Sequence, residues 1–287
     1  MTPAEPEIVS PGGVDICVQT FGEPTEPVVL LIMGSSASMD WWEDELCERL
    51  AGGGRFVIRY DHRDTGQSVS YPPGSPGYGI EDLVDDAVDL LDHFGVDGAH
   101  VVGMSLGGGL AQLLALDHPR LVSSLTLIAT APAAPGPDDP DLPSMSEEAW
   151  ARFETVSPDW SDRDAVVDHL VHLARASAAQ SAPFDEEPFR ALAARVFDRT
   201  RDIEASYTNH NVLSGGGRTR ERLGELAMPA LVLHGDEDPV VPYGNGEALA
   251  REIPTARLVT LPATGHEIPR RVWDTVVPEI LDHTSGE

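Results

Sequence analysis

Short apolar runs alternate with helical periodicities along the first half of the chain, the pattern of a largely parallel sheet covered by helices. Residues 28–33, 56–60, 100–104 and 125–129 are too short and too uniformly apolar for surface helices and read as buried strands. Between them, 41–50, 80–94 and 106–118 carry apolar residues three and four apart, as in Leu83, Ala87, Leu90, Leu91 and Phe94, and read as helices. Ahead of these, 8–9 and 16–21 form a candidate edge hairpin joined through Pro11-Gly12-Gly13.

The alternation stops at Ala131. Residues 131–143 hold five prolines and three aspartates and read as a loop. From Glu147 to about Thr208 the pattern is helical only, with breaks at Pro158 and Pro183. A strand at 230–234, a helix near 246–252, a strand at 257–261 and a helix at 269–283 then restore the alternation. We therefore expect an α/β core built from 1–130 and 220–287, interrupted by a helical cap or lid at 131–219. A chain of 287 residues suits one large domain with such an insertion.

Charge narrows the function. Nineteen basic against 48 acidic side chains leave −29, a field that repels nucleic-acid phosphate and anionic lipid, so neither a nucleic-acid nor a membrane partner is expected. Every basic residue is arginine, and without lysine there is neither Schiff-base chemistry nor a Walker-type phosphate loop. Cys17 and Cys47 lack the spacing of a disulfide framework or a zinc site and read as reduced structural thiols. The first ten residues carry no basic or apolar targeting pattern, which leads us to expect a soluble protein of the cytoplasm. Asp138-Asp139-Pro140-Asp141 reads as a solvated loop. No metal-ligand spacing and no dinucleotide fingerprint occurs, so no metal and no cofactor is expected.

The chemistry concentrates on Gly103-Met104-Ser105-Leu106-Gly107, set between a strand and a helix pattern. Small flanking residues let the chain reverse sharply and present Ser105 above the sheet edge, as a nucleophile elbow requires. A glycine-rich turn with an incidental serine is the bland alternative, and the strand–turn–helix setting favours the elbow. Serine needs a base and a carboxylate to orient it. Of the ten histidines, His266 stands in a glycine-containing loop after the last strand, whereas His93, His118, His169, His172 and His283 fall on helices, His100 opens a strand and His62 lies in a turn. His210, in the insertion, is a candidate pocket residue. Asp236, Glu237 and Asp238 all follow the strand at 230–234; Asp238 lies deepest in the loop and is stiffened by prolines, with Asp236 the competitor.

The chain resembles the α/β-hydrolases over nearly its whole length. Gly235 to Pro242 matches the family pattern G-x-x-D-x-x-x-P, which selects Asp238, and the order Ser105, Asp238, His266 is the family's order. Asp61-His62-Arg63-Asp64-Thr65-Gly66-Gln67-Ser68 resembles the family turn D-x-R-G-x-G-x-S, with Asp64 in place of a glycine. Met33-Gly34-Ser35, the run from Ile58 to Gly66 and Leu116-Asp117-His118 are similar to the aclacinomycin methylesterase group of anthracycline-tailoring hydrolases. Many family members carry His-Gly where Met33-Gly34 stands. The resemblance implies an α/β-hydrolase fold, an oxyanion hole made by the backbone N–H groups of Ser35 and Leu106, and a pocket bordered by Gly34, Met104, Trp41, Trp42 and His210. One of the two adjacent tryptophans must point away from it. It implies a small-molecule carboxylic ester as substrate, with an aromatic polyketide methyl ester as the narrower expectation. Trp150, Phe153, Trp160, Phe184, Phe189 and Phe197 are expected in the core or pocket wall of the lid. Lactone, carbon–carbon or perhydrolase chemistry on the same three residues, and ligand binding without turnover, stay open, as does the oligomeric state.

Overall fold

The computed structural model describes residues 4–133 and 139–286. Its strands are β1 (Glu7–Val9), β2 (Ile16–Phe21), β3 (Val28–Ile32), β4 (Phe56–Tyr60), β5 (Ala99–Met104), β6 (Val122–Ile128), β7 (Ala230–Gly235) and β8 (Ala256–Leu261). They form one sheet in the order β1-β2-β4-β3-β5-β6-β7-β8. β2 runs antiparallel to both β1 and β4, and the pairings from β4 to β8 are parallel. The edge hairpin and the parallel interior are those expected from the apolar pattern.

Helices cover both faces. α1 (Asp44–Gly52) and α9 (Trp273–His283) lie on one; α2 (Ile80–His93), α3 (Leu106–Asp117) and α8 (Gly244–Glu252) lie on the other. The period of two along a strand divides its residues between the faces. Val29 and Leu31 of β3 pack with Leu46, Leu50, Val276 and Ile280, while Leu30 and Ile32 pack with Leu83, Leu90, Leu110 and Leu114. With both sides buried, each aliphatic side chain contributes about 1.5–3 kcal/mol, which is why these strands read as continuous apolar runs.

Between β6 and β7 lie α4 (Glu147–Phe153), α5 (Arg163–Ser177), α6 (Glu186–Arg199) and α7 (Ile203–His210). Val166, Val167 and Leu170 of α5 meet Ala193 and Val196 of α6 and Ile203 of α7 in an apolar cluster separate from the sheet's two cores. Ser146, Asp162 and Asp202 accept backbone N–H bonds at the starts of α4, α5 and α7. That last cap adds a break after α6 which no proline announces.

Several local expectations shift. Trp41 ends a 3-10 turn, Met39–Trp41, and α1 begins only at Asp44, because Glu43 is extended and Trp42 turns into the core. Trp150, expected to pack in or beside the lid core, is 61% exposed. Residues 134–138, Asp138 among them, fall outside the described residues, but Asp139 is buried against Arg218 and Arg220 and Asp141 pairs with Arg220. Asp139 is thus clamped by arginines rather than solvated, while Asp141 stays exposed beside Arg220. Cys17 and Cys47 are buried free thiols, pushed up to about 12 by burial. Among the described residues no helix is long and apolar enough to cross a membrane.

Candidate active site

At the end of β5 the chain reverses through Ser105 (φ 53°, ψ −119°) directly into α3. Left-handed backbone strains a serine, and the surroundings must hold it there. Its N–H donates to Ile128 O at 3.0 Å, and its carbonyl accepts from Gly108 N–H at 2.9 Å and from Thr130 Oγ1 at 2.8 Å. The flanking glycines are steric necessities. A Cβ on Gly103 would stand 2.2 Å from Gly107 O, and one on Gly107 would stand 2.2 Å from Ile32 O.

The loop after β3 passes beside this turn. A Cβ on Gly34 would lie 3.3 Å from Ser105 Cβ and 3.9 Å from its Oγ, so the backbone from Met33 to Ser35 borders the hydroxyl. Ser36 is also left-handed, at φ 60°. Polar side chains grip this loop along its length. His62 Nε2–H donates to Met33 O at 2.9 Å, Ser36 N–H donates to His210 Nδ1 at 2.9 Å, and Met39 N–H donates to Asp61 Oδ1 at 2.8 Å. Because His210 Nδ1 accepts, its proton sits on Nε2, which donates to Arg63 O at 2.9 Å. Burial lowers both imidazoles to about 4.

Across the sheet edge, the loops after β7 and β8 bring Asp238 and His266 together. His266 Nδ1 lies 2.8 Å from Asp238 Oδ2, with the carboxylate's other oxygen accepting Val240 and Val241 N–H at 2.9 and 2.8 Å. The Asp238 side chain is fully buried and that of His266 is 12% exposed. Asp236 is exposed and its side chain meets no hydrogen-bond or ion-pair partner among the described residues, whereas Glu237 accepts from Gln180 and Ser181 N–H and from Ser181 Oγ. Geometry therefore separates three consecutive acids that the sequence offers side by side.

The tryptophan pair divides as its adjacency requires. Trp42 is buried in the core under α1 and α9, and Trp41 packs on Phe189 of α6, with ring centroids 5.1 Å apart. Met104 is 6% exposed and packs into the same core as Trp42. His210, expected at the pocket, is 6% exposed with both ring nitrogens committed to backbone groups.

Sequence reasoning missed the polar ties from the inserted helices. Arg199, at the end of α6, donates through Nε to Asp40 Oδ2 at 2.6 Å and through both terminal nitrogens to Asp61 at 2.7 and 2.6 Å. Burial opposes its charge, but the two carboxylates outweigh that and raise its pKa. His266 N–H donates to Ser177 O, the last residue of α5, at 2.8 Å. Only Asp61, inside the D-x-R turn, carried any sequence signal.

An α/β-hydrolase fold family description matches residues 27–269. The chain belongs to the α/β-hydrolase fold family. This hydrolase is 32% identical to rhodomycin D methylesterase DauP of Streptomyces sp. (strain C5), over 94% of this chain and 95% of the relative. It is 30% identical to rhodomycin D methylesterase DnrP of Streptomyces peucetius, with the same coverage. Among solved structures, an esterase from Exiguobacterium antarcticum superimposes with a TM-score of 0.79 over 98% of this hydrolase and 100% of that chain at 21% identity, a likeness of fold. The relatives are hydrolases and methylesterases, so the methylesterase-like resemblance extends across the inserted helices as well as the core.

Proposed function

We propose that this protein is a serine carboxylic-ester hydrolase that works through an acyl-enzyme. Ser105 Oγ attacks the ester carbonyl while His266 Nε2 takes its proton; the tetrahedral intermediate collapses and His266 returns that proton to the departing alkoxide. Water then attacks the acyl-serine with the same histidine as base, releasing the carboxylic acid and Ser105. Asp238 holds His266 with its proton on Nδ1 and stabilises the charged imidazole. The N–H groups of Ser35 and Leu106 face the developing oxyanion, where one donor is worth about 3–4 kcal/mol. The observation that carries the reading is the 2.8 Å Asp238–His266 pair, on loops that leave the same carboxyl edge of the parallel sheet as the strained serine turn.

Residues 131–219 act as a helical cap over this edge of the sheet, with Gly34, Met104 and Trp41 contributing to the acyl site and its wall, while Trp42 faces the core. The two rhodomycin D methylesterases match over 94% of the chain, which supports a methyl ester of an aromatic polyketide as the substrate class. A fluorophosphonate probe tests the nucleophile. Stoichiometric labelling mapped to Ser105, slowed while an excess of an aromatic methyl ester is present, is the expected result; an unlabelled folded protein would contradict it.

A further inference from the structure

Two neutral imidazoles bracket the residues whose backbone faces Ser105. His62 donates to Met33 O and His210 accepts from Ser36 N–H, so the pair grips the loop on either side of Gly34-Ser35. Their rings meet edge to face, with centroids 6.0 Å apart. His62 comes from the core; His210 comes from the end of α7, in the inserted helices. We infer that His210 is a positioning residue for the oxyanion loop, holding Ser36 and through it the Ser35 N–H in the direction the oxyanion requires. The inference rests on the reading of Ser105 as nucleophile and adds that the cap supplies part of the oxyanion machinery.

Three observations support it. Ser36 occupies left-handed backbone, which costs a non-glycine residue of the order of 1–2 kcal/mol and relaxes unless something holds it. Within the loop itself the nearest backbone bond is Ala37 N–H to Gly34 O at a long 3.3 Å, which leaves the Ser36–His210 bond as the shorter restraint. The ring is also locked. Its Nε2–H is fixed on Arg63 O, His62 stands beside it, and Asp64 is occupied by Tyr78 and by Asn209, the residue preceding His210. Burial, reinforced by His62, keeps the ring neutral, so its Nδ1 lone pair stays available to Ser36.

The two ring nitrogens can be tested separately. Asparagine mimics Nδ1 and keeps an acceptor for Ser36; glutamine mimics Nε2 and keeps the donor to Arg63; phenylalanine keeps neither. For hydrolysis of 4-nitrophenyl acetate we expect His210→Gln and His210→Phe to lose about 30- to 100-fold in kcat with KM changed less than about threefold, as for a misplaced catalytic group. His210→Asn should stay within about tenfold of the unsubstituted protein on the same scale. A purely structural role predicts instead that kcat follows melting temperature through the three variants, and that pattern would overturn the inference, as would an unimpaired His210→Gln. Nitrogen-15 histidine spectra of the unsubstituted protein provide a check that needs no variant to fold: His210 should be the Nε2–H tautomer at neutral pH, and the opposite tautomer would overturn it. An unsubstituted protein that neither labels at Ser105 nor cleaves the ester overturns the parent reading together with this one, whereas a labelled, active protein with a fast His210→Gln overturns this one alone.

Discussion

Asp238 and His266 stand 28 positions apart in the chain and meet at 2.8 Å, Oδ2 to Nδ1, with the other carboxylate oxygen held by two backbone N–H groups. The carboxylate cannot swing away from the imidazole without giving up those donors, and it is fully buried. Its removal should therefore be felt in the chemistry. Asp238→Asn still accepts from Val240 and Val241 but turns an amide towards His266, favouring the wrong tautomer, and should cost about 10⁴-fold in turnover. Exposed Asp236, changed to Asn, should lose less than about threefold, within the small range of surface substitutions. Steady-state kinetics on both variants checks the order, and a fast Asp238→Asn beside an inert Asp236→Asn would reverse the roles.

Arg199 ties the inserted helices to the core through two nearly inaccessible carboxylates, Asp40 and Asp61. Arg199→Met leaves Asp61 buried without its cation, while Asp40 keeps Arg195 at 3.6 Å, and should destabilise by about 3–5 kcal/mol. Neutralising Asp61 as well should recover part of that loss, since the penalty belongs to the stranded charge. Urea unfolding of the single and double variants measures it; a single variant as stable as the unsubstituted protein would show that the triad of charges contributes nothing.

Burial lowers His62, His100 and His210 to about 4, against an unfolded value of about 6.5. Between those values the unfolded chain binds more protons, so stability rises with pH across the window and is lost as pH falls from 6.5 towards 4. We expect the urea midpoint to drop between pH 7.5 and pH 5, where most carboxylates stay ionised. His100, at the start of β5 and bonded to Ser124, is remote from Ser105, and His100→Asn should flatten the slope. An unchanged midpoint across that range would rule out buried neutral histidines as its source.

Glu237 reaches from the acid's loop to the segment between α5 and α6, accepting from Gln180 and Ser181. Those bonds hold its carboxyl below the usual range. Glu237→Gln should speed amide exchange at 178–182 by about tenfold while leaving the melting temperature nearly unchanged, because the contact is local and solvent-facing. Unaltered exchange there would mean that the segment is held by its other contacts, chiefly Ser177 O on His266 N–H.

The parallel strands and the serine turn were legible because each leaves a local signature. β3 is five apolar residues, of which Val29 to Ile32 are buried on both faces, and the elbow needs glycine at 103 and 107 for reasons of a few ångströms. His266 was legible by its loop, and Asp238 by depth and by the family pattern. Which side chains hold the loop after β3 was not. His210 meets Ser36 across 174 positions and Arg199 meets Asp61 across 138, and single polar contacts between distant segments impose no periodicity on either. The sequence offers His210 as a pocket residue, whereas its ring is buried and serves the loop's backbone. Trp41 and Trp42 carry the same side chain, so only the turn before α1 decides that Trp42 enters the core and Trp41 meets Phe189.

The central claim is that Ser105 is the nucleophile, and the most direct measurement is ester hydrolysis by purified Ser105→Ala beside the unsubstituted protein, with matched melting temperatures. The account predicts that the variant folds normally and loses about 10⁴-fold or more in turnover of an aromatic methyl ester, since a hydroxyl that forms the covalent intermediate has no substitute. Turnover by Ser105→Ala within about tenfold of the unsubstituted protein would contradict it, because no triad nucleophile is so dispensable.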